Sequence, residues 1–270
     1  MLGQERVNIL SVPSRTVFLR FLADCEHLSV DSRRISDIAK QTIAHLNKTK
    51  EARGESRALQ ALEMRWYDAL MHGETDYSVY CSEDYLAELW ACWAVYSRKY
   101  LNNLWTKGIL DELKPVQGVV DLGCGIGYTT AALAGIFRDA PVSGTNLDGT
   151  IQTDFAGMIG MRYGFAVVPA ISELSHEADV VFAFEYFEHI PNPIVHLYEI
   201  VTRLNPRALF IANSFGTSAI GHFGKYTPFD GVSDPKDTSR LFGKKLRDWG
   251  YEKIKTGLWN DRPAYWRKSG

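Results

Sequence analysis

Three stretches of this 270-residue chain carry residue types in spacings that could do chemistry. The first is VVDLGCGIGY at 119–128, where an acid ending an apolar run is followed by glycines at 123, 125 and 127. Glycine turns sharply, accepts positive φ and leaves no side chain between backbone and ligand. At the C-terminal edge of a parallel sheet such a turn cradles a nucleotide-like cofactor. A dinucleotide loop would want glycine again at the end of G-x-G-x-x-G, where this chain has Tyr128. Asp121, just before the turn, would repel a diphosphate but suits a ligand bearing an ammonium. The second stretch is FEYFEHIPNP at 184–193, which sets Glu185, Tyr186, Glu188 and His189 at the end of an apolar run. Its carboxylates and imidazole could move a proton or orient a substrate. The third follows RALFIANS and brings Asn213, Ser214, His222 and Tyr226 among glycines and aromatics, with His222 as a further candidate base.

These groups need elements to hold them at one mouth, and the pattern supplies such elements. From about residue 111 to 214 short apolar runs alternate with helical stretches, the signature of βαβ units feeding a parallel sheet. QGVVDLG, APVSGTNLD, FAVVPA, ADVVFAFEYF and RALFIANS read as five strands, with YTTAALAGIF, DFAGMIGMRYG and NPIVHLYEIVTRLN as helices between them. A helix from about Asp237 to Trp249 stops at Gly250, just past a helix end. YEKIKTGLW and RPAYWRK then read as a terminal strand pair. The fold class expected is α/β: a doubly wound, seven-stranded, mostly parallel Rossmann-like sheet.

Residues 1–110 are read as an N-terminal helical cap and 111–270 as the catalytic domain, with 215–236 a lid insert. In the cap only VFLRFLA at 17–23 alternates like a strand. From Ser36 the pattern is helical, and Asn47–Glu55 reads as a solvated turn. Leu59, Leu62, Trp66 and Leu70 form one apolar stripe. Ser82 is placed to cap a strongly aromatic helix, with Glu83 and Asp84 in its first turn. The lid's Phe215, Phe223, Tyr226 and Phe229 either line an aromatic acceptor site or pin the loop to the domain.

Composition bounds the partners. Hydrophobic residues make up 46%, enough for a sizeable core and against global disorder. Thirty Lys and Arg against 32 Asp and Glu give a net charge of −2, which offers no global field for nucleic acid or an anionic membrane. Cys25, Cys81, Cys92 and Cys124 show no paired ligand spacing, so neither a disulfide framework nor a metal site is expected. The charged start and the lack of a long apolar run lead to the expectation of a soluble, cytoplasmic protein.

The glycine turn, with the strands and helices in register behind it, resembles the cofactor motif of the class I S-adenosylmethionine-dependent methyltransferases, a likeness that runs across about residues 112–214. The resemblance implies that the cofactor is S-adenosyl-L-methionine. Its methionine end would lie by Gly123, Cys124, Gly125 and Gly127, with Asp121 near the amine. Asn146 falls where the family's ribose-binding acid is expected, with Leu147 against the adenine. Ala170 stands at the place of a common adenine-binding Asp, and Ile171 beside it. Tyr80 resembles tyrosines that close over the cofactor's carboxylate end, and Glu185 lies near the methyl position. His189, Glu185, Tyr186 and His222 are the candidate catalytic residues, His189 having a structural hydrogen-bonding role as its alternative.

The function so implied is methyl transfer to an O or N atom of a small-molecule acceptor, such as a specialised metabolite or a nucleotide or sugar derivative. The alternatives are RNA, DNA or protein methylation, supported by local basic groups at 33–53 and 244–268, and a homologue that uses the cofactor for other chemistry. Nucleic acid is the less favoured partner, because no D/N-P-P-aromatic run follows the fourth strand. No membrane partner is expected. Aromatics at 90–105 would permit a homodimer.

Overall fold

The computed structural model describes residues 8–49, 54 and 56–269, the Trp259 side chain excepted. Positions 50–53 and 55 of the expected turn, with Lys50 and Arg53, lie outside the described residues. Seven strands form one sheet: β1 (Val119–Asp121), β2 (Val142–Thr145), β3 (Ala166–Val168), β4 (Val180–Phe184), β5 (Ala208–Ala212), β6 (Tyr251–Ile254) and β7 (Ala264–Lys268). Their order is β3-β2-β1-β4-β5-β7-β6. The pairs among β1 to β5 are parallel, whereas β7 runs antiparallel to β5 and β6. The chain reverses its winding between β1 and β4, which opens a crevice beyond the carboxyl ends of those two strands.

Helices α6 (Tyr128–Ile136), α7 (Ile151–Tyr163), α8 (Pro193–Leu204) and α9 (Pro235–Asp248) cover the sheet. Strand side chains alternate between the two faces. On β4, Val180, Phe182 and Phe184 join one buried cluster, while Val181 and Ala183 join the other. On the first face Phe182, Phe210 and Tyr265 stack across three strands, at centroid distances of 4.8 and 4.7 Å. The second face is closed by Leu197 and Ile200 of α8 and by Phe242 and Leu246 of α9.

The described residues from 8 to 110 form mainly helices: α1 (Ser14–His27), α2 (Ser32–Leu46), α3 (Arg57–Met71), α4 (Glu83–Cys92) and α5 (Arg98–Thr106). The alternation at 17–23 is therefore helix, not strand. Val17, Phe21, Asp24 and Cys25 form its buried face at steps of four and three. Helix α2 also begins four residues earlier than the sequence pattern suggests, because Asp31 caps it by accepting from the Arg33 and Arg34 amides. Between α4 and α5 the chain stays helical through one π-type stretch, Trp93–Ser97. These helices share their core with the sheet: Phe21, Ile35, Leu59, Trp66 and Trp90 belong to the same buried cluster as Val119, Phe182 and Phe210. Arg162 on α7 grips Asp24 on α1 with two bonds, of 2.8 and 2.5 Å. Among the described residues no helix is long and apolar enough to cross a membrane.

Candidate active site

The glycine turn leaves β1 and enters α6 with Gly123, Gly125 and Gly127 at φ +64, +52 and +82. Each close approach has a different neighbour. A Cβ on Gly123 would overlap the Tyr186 ring, and one on Gly125 would lie 3.3 Å from Leu89 Cδ2 of the cap. The strand end beside it braces the turn. Thr145 accepts from the Gly123 amide through its hydroxyl (3.1 Å) and from the Cys124 amide through its carbonyl (2.8 Å). Asn146 donates its amide to the Gly125 carbonyl (2.7 Å) and accepts from the Leu147 amide (3.0 Å). Both ends of that side chain are thus engaged within the loop, where the resemblance places a group holding ribose hydroxyls.

A cavity of about 780 Å³ begins at this turn and runs out between the cap and the lid. Asp121, Gly123, Cys124 and Gly125 form its inner end, and Glu185, Ser214, Arg262, His189 and His222 are on its walls. Tyr80, Gly127, Asn146, Leu147, Ala170, Ile171 and Tyr186 are not among its lining residues. Leu147 is 43% exposed, whereas Ile171 is buried against β4 and α8 in the second core cluster. Tyr186 buttresses Gly123 from behind, and its hydroxyl meets His196 Nε2 at 2.8 Å.

The cap supplies one side of the cavity from a single run. Tyr85, Leu89, Cys92, Tyr96, Tyr100 and Asn103 face it at steps of three and four, carried across the π-type stretch. Of these aromatics the sequence pattern takes Tyr96, with Trp90, Trp93 and Trp105, as mostly core. The three-and-four stripe that Tyr85, Tyr96 and Tyr100 share with Glu88 and Asn103 is the signal that could have separated a wetted face from a packed one. Arg262 is the other residue missed, since it lies 77 positions from its partner. Its Nη2 donates to Glu185 Oε1 (2.6 Å) and to Ser214 Oγ (2.8 Å), and Ser214 Oγ donates to Glu185 Oε2 (2.6 Å). Glu185 itself holds a left-handed backbone, φ +49, a conformation side-chain-bearing residues adopt at a cost.

Beneath that network Glu188 is fully buried, and the Ser214 amide donates to its Oε1 at 2.8 Å. Burial first, then the charge of Glu185, hold its carboxyl well above the usual range. His189 and His222 meet edge to face with centroids 4.7 Å apart. Burial, reinforced for His189 by its neighbour His222, keeps the pKa of both rings below the ordinary value, so they are neutral. At the inner end Asp121 accepts from Thr130 Oγ1 (2.6 Å). Burial lifts its carboxyl to about 7, with only that hydrogen bond opposing the shift. Trp93 Nε1 and Tyr128 Oη are buried without a hydrogen-bond partner, and both residues line the same cavity. A buried acid uncompensated by a cation, a bare glycine backbone and spare polar atoms fit a ligand with an ammonium and further polar groups.

The lid's aromatics pin it. Phe215 packs edge-on to Tyr226 (5.4 Å) and Phe223 edge-on to Trp66 (5.3 Å), and none of Phe215, Phe223, Tyr226 or Phe229 lines the large cavity.

A family model described as a methyltransferase domain matches residues 93–263. No curated protein matches. Among solved structures, the plantazolicin methyltransferase BpumL, in complex with a pentazolic desmethylPZN analogue and SAH, is similar at 14% identity and a TM-score of 0.41, over 68% of this chain and 62% of that one. The O-methyltransferase of a trans-AT PKS multienzyme from Brevibacillus brevis, in complex with S-adenosyl-L-homocysteine, gives 14%, a TM-score of 0.44, and 60% and 55% of the two chains. The mitomycin 7-O-methyltransferase MmcR gives 12%, 0.46, and 77% and 67%. The chain spans about three fifths of the length of the first two. The family model covers more than half of the sequence, and its span takes in the glycine turn and strands β1 to β6. The chain therefore belongs to the class I, Rossmann-like family of S-adenosylmethionine-dependent methyltransferase domains.

Proposed function

We propose that this chain binds S-adenosylmethionine and transfers its methyl group to an O or N atom of a small molecule enclosed between the cap, residues 1–110, and the lid, residues 215–236. The observation that carries this reading is the single cavity joining the glycine turn to Glu185, His189 and His222. When bound, the cofactor supplies an already activated methyl on a sulfonium, so the protein's task is mainly to position and desolvate. Asp121 holds the ammonium beside Gly123, Cys124 and Gly125. The adenosine would lie toward exposed Leu147, while Ile171, buried in the second core cluster, is left without a contact. The cap's aromatic face excludes water, and the neutral rings of His189 and His222 are the groups able to take a proton from the acceptor. A cavity walled by cap and lid also suits a small acceptor better than a polymer, which needs an open track.

Calorimetric titration with S-adenosylhomocysteine, alongside NAD, tests the cofactor. Micromolar binding of the sulfur nucleoside and none of NAD is expected, and the reverse selectivity would sink the reading. Acceptors are then sought by mass shift of 14 Da in metabolite pools incubated with S-adenosylmethionine, with RNA and protein as parallel pools.

The same titration has a pH dependence whose sign is fixed. Asp121 holds an ammonium only when ionised, and its folded-state pKa of about 7 lies above the ordinary carboxylate value. Affinity should therefore be full above pH 7 and fall about tenfold per pH unit below it. Asp121→Asn should bind weakly at every pH and flatten that slope. A flat profile in the unmodified protein would remove Asp121 from the ammonium site.

A further inference from the structure

Tyr80 sits where three distant parts of the sequence meet. It belongs to the short turn of helix Tyr77–Cys81 in the cap, and it is buried without lining the cavity. Its hydroxyl lies 3.0 Å from His189 Nδ1, beyond the end of β4. From the lid, Gly221 presses against both. At φ +83 it takes a conformation that favours glycine, and a Cβ there would overlap the Tyr80 hydroxyl and crowd His189 Nδ1. Around this junction the cap holds the lid by two more bonds. Trp66 Nε1 donates to the His222 carbonyl (2.7 Å), and the Ala219 amide donates to Tyr67 Oη (3.3 Å).

We propose that Tyr80 is a positioning residue that fixes the His189 ring in one orientation and one tautomer, so that the cap decides which ring nitrogen is left for the cavity. The hydroxyl engages Nδ1, and Nε2 is the nitrogen that Tyr80 does not touch. The direction of this bond sets the tautomer: as acceptor the phenol keeps the proton on Nδ1 and leaves Nε2 bare, and as donor it leaves the proton on Nε2. The groups facing the ring are the Tyr80 hydroxyl from the cap and, from the lid, His222 and the Gly221 backbone, which is hydrogen-bonded to it. Only the hydrogen bond with the Gly221 backbone favours the charged ring, and burial together with His222 outweighs it. Gly221 supplies the second, independent constraint, because the lid can approach this closely only where it lacks a side chain. For what His189 serves, the inference rests on the methyltransferase reading. For the state of the ring it rests on the geometry alone.

Long-range proton–nitrogen correlation spectra of the histidine rings test it, His189 being assigned by the signal lost in His189→Gln. The unmodified protein should show His189 as one neutral tautomer. Tyr80→Phe keeps the ring packing and removes only the hydroxyl. It should give averaged ring nitrogen shifts while S-adenosylhomocysteine affinity stays within about threefold. Gly221→Ala should give the same spectral change by displacing the hydroxyl, and a thermal melt of each variant separates this from loss of fold. Wild-type ring shifts in Tyr80→Phe would overturn the proposal, as would a tautomer mixture in the unmodified protein. Unchanged ring shifts with a tenfold or greater loss of affinity would instead make Tyr80 a cofactor contact. Failure of the unmodified protein to bind S-adenosylhomocysteine would count against the methyltransferase reading, and the ring spectra would still decide this one.

Discussion

Gly125→Val should lower the affinity for S-adenosylhomocysteine by more than about 100-fold, equivalent to roughly 2.7 kcal/mol of binding free energy. Two costs coincide at this position. The backbone sits at φ +52, which a β-branched residue reaches only with strain of roughly 1–2 kcal/mol. The new side chain also grows toward Leu89, whose Cδ2 would lie 3.3 Å from the first added carbon. Valine's two further methyls would fill the gap between turn and cap through which the cavity passes. Relaxing the turn is no escape, because Asn146 holds the Gly125 carbonyl and Thr145 holds the two residues before it. Gly125→Ala separates the two costs. Paired with Leu89→Ala it should regain part of the lost affinity, since the contact is relieved while the φ strain stays. Calorimetry on the three proteins, with a thermal melt to exclude loss of fold, checks this. Binding by Gly125→Val within about threefold of the unmodified protein would place the ligand elsewhere.

That result would hang on a feature legible in the sequence, and the site as a whole was legible in proportion to its locality. The order of strands and helices from Val119 to Ala212 follows from apolar runs, caps and glycines that each act within about ten residues. The inner end of the cavity follows likewise, since Asp121 to Gly125 are consecutive. The alternation at 17–23 misled because Val17 and Phe21 are the helical face and Phe18 and Leu22 pack partly beside them, so two apolar rows mimic a strand. Arg262 was not legible as a site residue. Nothing near it in the chain distinguishes it from the other C-terminal cations, and only the antiparallel return of β7 beside β5 brings it to Glu185. Asn146 was legible as a departure from the family's acid, yet its bond to the Gly125 carbonyl depends on how β2 meets the turn. The raised pKa of Glu188 was equally hidden, because it follows from complete burial and a neighbouring carboxylate rather than from residue type.

Trp66→Ala should be the most destabilising of the changes considered, by about 3–5 kcal/mol. The side chain is fully buried on α3 and packs against Tyr77, Tyr80 and Phe223 at centroid distances of 6.0, 6.3 and 5.3 Å. Its loss leaves a large void and also strips the His222 carbonyl of its indole donor. Trp66→Phe isolates the second effect, filling most of the volume while leaving that carbonyl unpaired, and should cost roughly 1–3 kcal/mol. Because Trp66 belongs to the same buried cluster as the strand residues Phe182 and Phe210, the loss should move one common transition. Equilibrium unfolding in urea, followed both by tryptophan fluorescence and by far-ultraviolet circular dichroism, reads this directly. Coincident curves shifted together to lower urea mean that cap and sheet fold as one unit. An early fluorescence transition with an unmoved later one would mean that the cap melts alone, and the cavity between them would then be a hinge rather than a built pocket. The distinction reaches the chemistry. A cap that folds with the sheet fixes Tyr80, and through it His189, before any ligand arrives; a cap that melts alone would have to be ordered by the acceptor itself, and part of the binding free energy would go into that ordering.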